Sequence, residues 1–184
     1  MDKIIKEKNG YSYKEKYYRS KEEIYFSWYL DDIKDKIDIY GYELYSMEVI
    51  PKKKANFFNK DNSPVKECFF LNKLSYTPDF IIEWNRNNIL DGKGLKYLWH
   101  NYSIGRFSNK KNIYYDVTSY TSYIEIKGGY SKHNTDLFPV KQKIIYDKLG
   151  IYVQKIVPKD FFKAIDYYPE RYLWTDSGRQ KRKI

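Results

Sequence analysis

Three consecutive stretches constrain the fold most: "YIEIKGG", then "FPVKQKIIYDKLG", then "IYVQKIVP". In the first, Ile124 and Ile126 alternate with Glu125 and Lys127, the period of two of a strand, and Gly128-Gly129 supplies a closing turn. The second has Pro139 near its first turn and Gly150 just past its end, the punctuation of a helix. The third is a short apolar strand. Strand, helix and strand in succession predict a mixed α/β fold, a central mixed β-sheet flanked by helices.

Upstream, Ser20 followed three residues later by Glu23 is a capping box. It opens a predicted amphipathic helix over 20–37, with Ile24, Trp28, Ile33 and Ile37 as its stripe. "YGYELYSMEVI", residues 40–50, reads as one strand ended by Pro51 and three lysines. Residues 55–74 are ambiguous apart from "CFFLNKL", a short strand. Residues 75–84 read as a strand with alternating faces, left through a turn at Asn85 to Asn88. "NIYYDVTSYTSYIEIKGGY" reads as a hairpin or two adjacent strands, and "KDFFKAIDYY" as a last short helix. Residues 86–112, with Gly92, Gly94 and Gly105, read as an insertion. The polar residues 1–19 carry no period and read as a flexible or loosely docked basic arm. With 169–184 as a basic tail, 20–168 remain as one domain.

The length of 184 residues suits one domain, and 42% hydrophobic with 20% aromatic residues gives ample core material. Lys and Arg outnumber Asp and Glu by 34 to 24, a net charge of +10 that favours a polyanionic partner, nucleic acid before membrane. The single cysteine, Cys68, reads as a buried inert thiol; it leaves no internal disulfide and no multi-cysteine metal site, which points to the cytoplasm. No apolar run reaches the ~18 residues of a membrane span, and "MDKIIKEKNG" lacks the apolar segment of a signal peptide. His100 and His133 have no zinc spacing and read as surface or loop residues, and "DGKG" is a turn rather than a phosphate loop.

In "SYTPDFIIEW" a carboxylate, Asp79, follows Pro78 directly before an apolar run. Alone, Pro-Asp marks a strand start, and Glu125 with Lys127 is an ordinary surface ion pair. Together, an acidic residue on one strand and Glu-x-Lys on another resemble the PD-(D/E)XK nuclease superfamily, and "YTPDF … YIEIKGG" is similar to its phage and resolvase-type members. The resemblance implies a restriction-endonuclease-like core in which Asp79 and Glu125 hold Mg²⁺ or Mn²⁺, with Lys127 beside them. It also implies a glutamate from the preceding helix; "RSKEEIYF" offers Glu23, with Glu22 as its competitor. Asp79 and Glu125 are further apart in sequence than such strands usually are. This implies an insertion, or else gives the metal role to Asp116.

The resemblance further implies a metal-dependent DNA endonuclease, specific for branched or Holliday-junction DNA, acting in phage recombination or processing in a host cytoplasm and possible as a homodimer. Gln142 and Tyr146, four apart on one helical face, look like the accessory motif of the exonuclease-type branch, which keeps an exonuclease open. A non-catalytic nucleic-acid-binding protein is the other alternative. Phosphate contacts are expected from Lys14, Lys16, Arg19, Lys141, Lys143, Arg179, Lys181, Arg182 and Lys183.

Overall fold

The computed structural model describes residues 3–55, 61, 63, 68–87, 98–100, 113–128 and 137–173. The chain starts with β1 (Ile5–Lys6), β2 (Tyr11–Tyr13) and β3 (Lys16–Tyr18), which pair antiparallel as a small sheet. This corrects the expectation of a loosely docked arm. Tyr13 and Tyr18 are each 4% exposed and belong to the main core, their rings supplying apolar area that a polar-looking segment hides.

Helix α1 (Lys21–Asp32) starts from Ser20 in extended backbone, whose side-chain oxygen accepts the N–H of Glu23 at 3.3 Å. It buries Ile24, Phe26, Trp28, Tyr29 and Leu30. The helix ends earlier than predicted. After a 3₁₀ turn at Lys34–Lys36, Ile37 already opens β4 (Ile37–Tyr42), so this part of the expected stripe packs from a strand.

The single strand expected over 40–50 is two, because Glu43 adopts φ 48 and turns the chain before β5 (Met47–Ile50). β6 (Lys53–Ala55) pairs with β7 (Cys68–Leu71). The strand expected over 75–84 is also divided, into β8 (Leu74–Tyr76), which pairs with β5, and β9 (Phe80–Trp84). Thr77, Pro78 and Asp79 join them, and a proline without an N–H is a natural break in a ladder. β10 (Leu98–His100) runs parallel to β11 (Ile113–Tyr115), which turns into β12 (Thr121–Ile126) through a bridge between Asp116 and Thr121. Helix α2 (Phe138–Leu149) has proline in its first turn and ends at Gly150 with φ 68, as predicted. β13 (Val153–Ile156), α3 (Pro158–Ile165) and α4 (Glu170–Leu173) follow.

β13, β12, β9 and β4 form the central sheet in that order. β4, β9 and β12 are antiparallel, whereas β12 and β13 are parallel, as two strands joined through a helix can be. The class is therefore mixed α/β. Phe80, Ile81, Ile82 and Trp84 are all buried, so β9 is covered on both faces rather than alternating as expected. On one face Phe80 and Ile124 pack with Phe26, Phe161 and Phe162 of α1 and α3. On the other, Tyr123 and Val153 pack with Tyr76 and with Phe138 and Ile145 of α2.

The tail expectation is corrected in part, since Tyr172 of α4 meets Tyr25 of α1 edge-on at 5.0 Å. Most of 86–112 lies outside the described residues, as do Gly129, His133, Arg179, Lys181, Arg182, Lys183 and the side chains of Cys68 and His100. Among the described residues no helix is long and apolar enough to cross a membrane.

Candidate active site

The ladder between β9 and β12 pairs Thr121 with Glu83 and ends with Ile124 opposite Phe80. One step further in the same register sets Glu125 opposite Asp79. Here the ladder has run out, and the Asp79 side chain takes over: its Oδ2 accepts the N–H of Ile126 at 2.6 Å. The Asp79 carbonyl meanwhile accepts the N–H of Glu43 at 3.0 Å, tying the start of β9 to the end of β4. Asp79 is thus only 7% exposed, held by main chain on both sides.

Glu125 and Lys127 share one face of β12, as the strand period requires. The Lys127 ammonium donates to Oε1 of Glu125 at 2.5 Å, and the Tyr76 hydroxyl donates to Oε2 at 2.5 Å. Lys127 also lies 5.8 Å from the Phe138 ring centroid, at the start of α2. Its side chain is 33% exposed, so the ammonium reaches solvent from a partly buried cluster.

Burial first, and then the neighbouring charge of Glu125, push the Asp79 carboxyl up to about 7, against the opposing effects of the Ile126 N–H and Lys127. Burial and the same glutamate raise the Tyr76 hydroxyl far above its ordinary range, so it remains a donor. Sequence reasoning missed Tyr76. Its only local sign was a position three residues before Asp79.

Glu23 is 5% exposed and acts on the charge of Asp79, but both its oxygens are occupied. Oε1 accepts from the Ser20 hydroxyl at 3.0 Å; Oε2 accepts from the Arg19 N–H at 2.9 Å and the Tyr42 hydroxyl at 2.6 Å. It fills the capping role and locks α1 onto β3 and β4. Glu22 points elsewhere. A Cβ built on Gly128 would lie 3.7 Å from its carboxylate, which places Glu22 beside the end of the Glu-x-Lys strand.

Gln142 and Tyr146, expected as an accessory pair, lie on α2 with different surroundings. Gln142 donates to the Val153 carbonyl at 2.6 Å and bonds Tyr152, pinning α2 to the beginning of β13. Tyr146 is 47% exposed further along the helix. Asp116 caps a turn, accepting from the N–H and hydroxyl of Thr118 at 2.7 and 2.6 Å. Partial burial pushes its pKa upward, but those bonds and those from Ser119 outweigh it and leave the carboxyl below its usual value. Lys141 and Lys143 are exposed on α2. Lys14 and Lys16 are exposed on the first sheet, and Arg19 pairs with Glu43 at 2.7 Å.

Among the described residues no three His, Cys, Asp and Glu side chains converge to hold a metal. Asp79 and Glu125 place two carboxylates in a desolvated corner, a donor set suited to a hard dication, although a metal there would have to displace Lys127 or Tyr76 from Glu125, whose two oxygens they occupy. Compared with protein-family models, curated proteins and solved structures, the chain matches none.

Proposed function

We propose that this chain is a metal-dependent DNA endonuclease of the PD-(D/E)XK type, hydrolysing phosphodiester bonds in branched DNA. The observation that carries the reading is the juxtaposition of Asp79 with Glu125 and Lys127 at one end of β9 and β12. The order of elements supports it: a helix with a glutamate in its first turn, the Asp79 strand, the Glu-x-Lys strand, then a helix and a final strand, as the resemblance implies. An exonuclease of the same superfamily is the second reading, and a circular relaxed substrate, which only an endonuclease cuts, separates the two.

Asp79 and Glu125 would hold Mg²⁺ or Mn²⁺, which when bound supplies Lewis-acid neutralisation of phosphate charge and a more acidic water. Tyr76 and the Ile126 N–H fix the two carboxylates from behind, keeping their orientation as substrate arrives. Lys127 places a solvent-reaching positive charge beside them, suited to stabilise negative charge developing on the scissile phosphate. Exposed lysines such as Lys141 and Lys143 would hold the flanking backbone.

Supercoiled plasmid and a four-way junction, incubated with and without Mg²⁺, test the reading. Nicking or linearisation that requires Mg²⁺ or Mn²⁺, with Ca²⁺ supporting binding alone, is expected. Full activity in excess chelator overturns the metal role. Salt-sensitive binding without cutting in Mg²⁺ transfers the chain to the binding-module reading.

A further inference from the structure

A cavity of about 80 Å³ opens between the N-terminal sheet, α1 and β4, walled by Tyr13, Tyr18, Tyr40, Tyr42 and Phe80. Ser27, Asp31, Lys14 and Lys16 give its polar lining. Local structure puts them there. β2 and β3 are joined by the two-residue turn Lys14-Glu15, with φ 47 and 62, the left-handed pair that a type I′ hairpin demands. That turn brings Lys14 and Lys16 to the rim.

The lining has a definite chemistry. One Asp31 oxygen accepts the Tyr40 hydroxyl, while the other lies 3.9 Å from the Lys14 ammonium and 3.4 Å from a guanidinium nitrogen of Arg171. That oxygen is engaged by a long hydrogen bond from Arg171 and an ion pair with Lys14, and a second lone pair leaves it able to accept one further donor. The Tyr42 hydroxyl is spent on Glu23, and Tyr40 and Tyr42, both raised by burial, remain neutral. At about 30 Å³ of liquid volume per water the space holds roughly two or three waters, room for the substituted edge of a six-membered ring rather than for the whole ring. Aromatic walls, a carboxylate within and lysines at the rim match a nucleotide carrying an amino group on a single ring.

We propose that this cavity takes one unpaired pyrimidine of a DNA strand, cytosine in preference to thymine. The cytosine amino group would donate to Asp31, the ring would lie against the tyrosines, and adjacent phosphates would meet Lys14 and Lys16. Thymine offers a carbonyl at the same edge, an acceptor facing an acceptor. The inference rests on the DNA-directed reading and specifies what that site seeks, a base freed from its partner. Cavity and carboxylate cluster lie on opposite faces of the central sheet, linked where Tyr42 of the cavity wall holds the Glu23 whose charge acts on Asp79.

The test measures binding in chelator, so that nothing is cut, by anisotropy of labelled oligo-dC and oligo-dT strands of equal length at mildly alkaline pH. Oligo-dC should bind about 10-fold tighter, and Asp31→Ala, which removes the acceptor, should bring the ratio within about twofold while oligo-dT binding holds. As a check independent of any variant, dCMP added to the isotope-labelled parent should shift NMR signals of Tyr13, Ser27, Asp31 and Tyr40 more than dTMP does. Equal affinity for the two strands, a preference that survives in Asp31→Ala, or shifts elsewhere would each overturn the proposal. Plasmid cleavage in Mg²⁺ separates the two readings: a chain that cuts but shows no preference loses only the cavity. One that prefers oligo-dC and never cuts keeps the cavity and loses the nuclease.

Discussion

Asp79 accepts the main-chain N–H of Ile126 one ladder step beyond the last pair of β9 and β12, so a candidate site residue also terminates the sheet. This ties site geometry to strand register. A slip of one residue would carry Glu125 and Lys127 to the opposite face. That slip is opposed by β9, which is buried on both sides and pairs with two strands.

If the cluster is catalytic, Asp79→Asn and Lys127→Ala should each lower the Mg²⁺-dependent cleavage rate by at least ~10²-fold. DNA affinity should stay within a few-fold, because neither group belongs to the broad lysine surface. Asp116→Asn should cut like the parent, since that carboxylate is committed to Thr118. Parent-like rates for both Asp79→Asn and Lys127→Ala would end the nuclease reading.

The raised Asp79 pKa makes stability pH-dependent in the metal-free protein. The folded carboxyl holds its proton up to about 7 against a reference of 3.8, so its favourable contribution is complete below 3.8 and is lost as pH rises through 7. Asp79→Asn, which retains an acceptor for Ile126, should therefore melt higher than the parent at alkaline pH in chelator. The advantage should be of the order of a few kcal/mol at most and should vanish on acidification. Mg²⁺ should raise the melting temperature of the parent and not of the variant. An advantage for Asp79→Asn that is constant across the pH range would contradict the assignment.

The two glutamates of α1 should separate by readout. Glu23→Ala strips acceptors from the Ser20 hydroxyl, the Arg19 N–H and the Tyr42 hydroxyl, and should cost about 1–3 kcal/mol in denaturant unfolding. Glu22→Gln removes a half-buried charge beside Gly128 without touching the cap, and should slow cleavage at unchanged stability. A stable Glu23→Ala with lost activity would reverse the two roles.

Tyr76→Phe deletes the hydroxyl on Glu125 and keeps the ring in its cluster with Val49 and Phe138. A hydrogen bond to a charged group is worth about 1.5–3 kcal/mol, so a loss near the lower figure is expected in chelator, where Glu125 keeps its Lys127 partner. Cleavage should fall less than in Asp79→Asn, because both carboxylates remain. Unchanged stability would show Tyr76 to be a packing residue alone.

Features governed by neighbours in sequence were legible. Ser20 with Glu23 marked the beginning of α1, Pro139 and Gly150 bounded α2, and the strand period put Glu125 and Lys127 on one side. The break at Glu43 was hidden because a glutamate, not a glycine or asparagine, takes the left-handed turn. Strands of two and three residues around Tyr11 to Tyr18 are too short to display a period. Partnerships such as Tyr76 with Glu125, 49 residues apart, or Gln142 with the Val153 carbonyl exist only once the chain has packed. The bonds that hold Glu23 to Tyr42 and Arg19 were likewise invisible in the capping box.

Arg171 in α4 donates to the Tyr13 hydroxyl at 3.1 Å across 158 positions, so the first hairpin is finished by nearly the last helix. During synthesis from the N-terminus, Tyr13 and Tyr18 emerge early, yet the surfaces that cover them arrive in instalments: α1 soon, β4 next and α4 only near the end. The Tyr13 contact with Arg171 can form only once the residue 158 positions on has been made, a long-range closure of the kind that slows folding. A chain trimmed of its first eighteen residues to remove an apparently dispensable polar leader would lose both stoppers and leave the aromatic interior open to water.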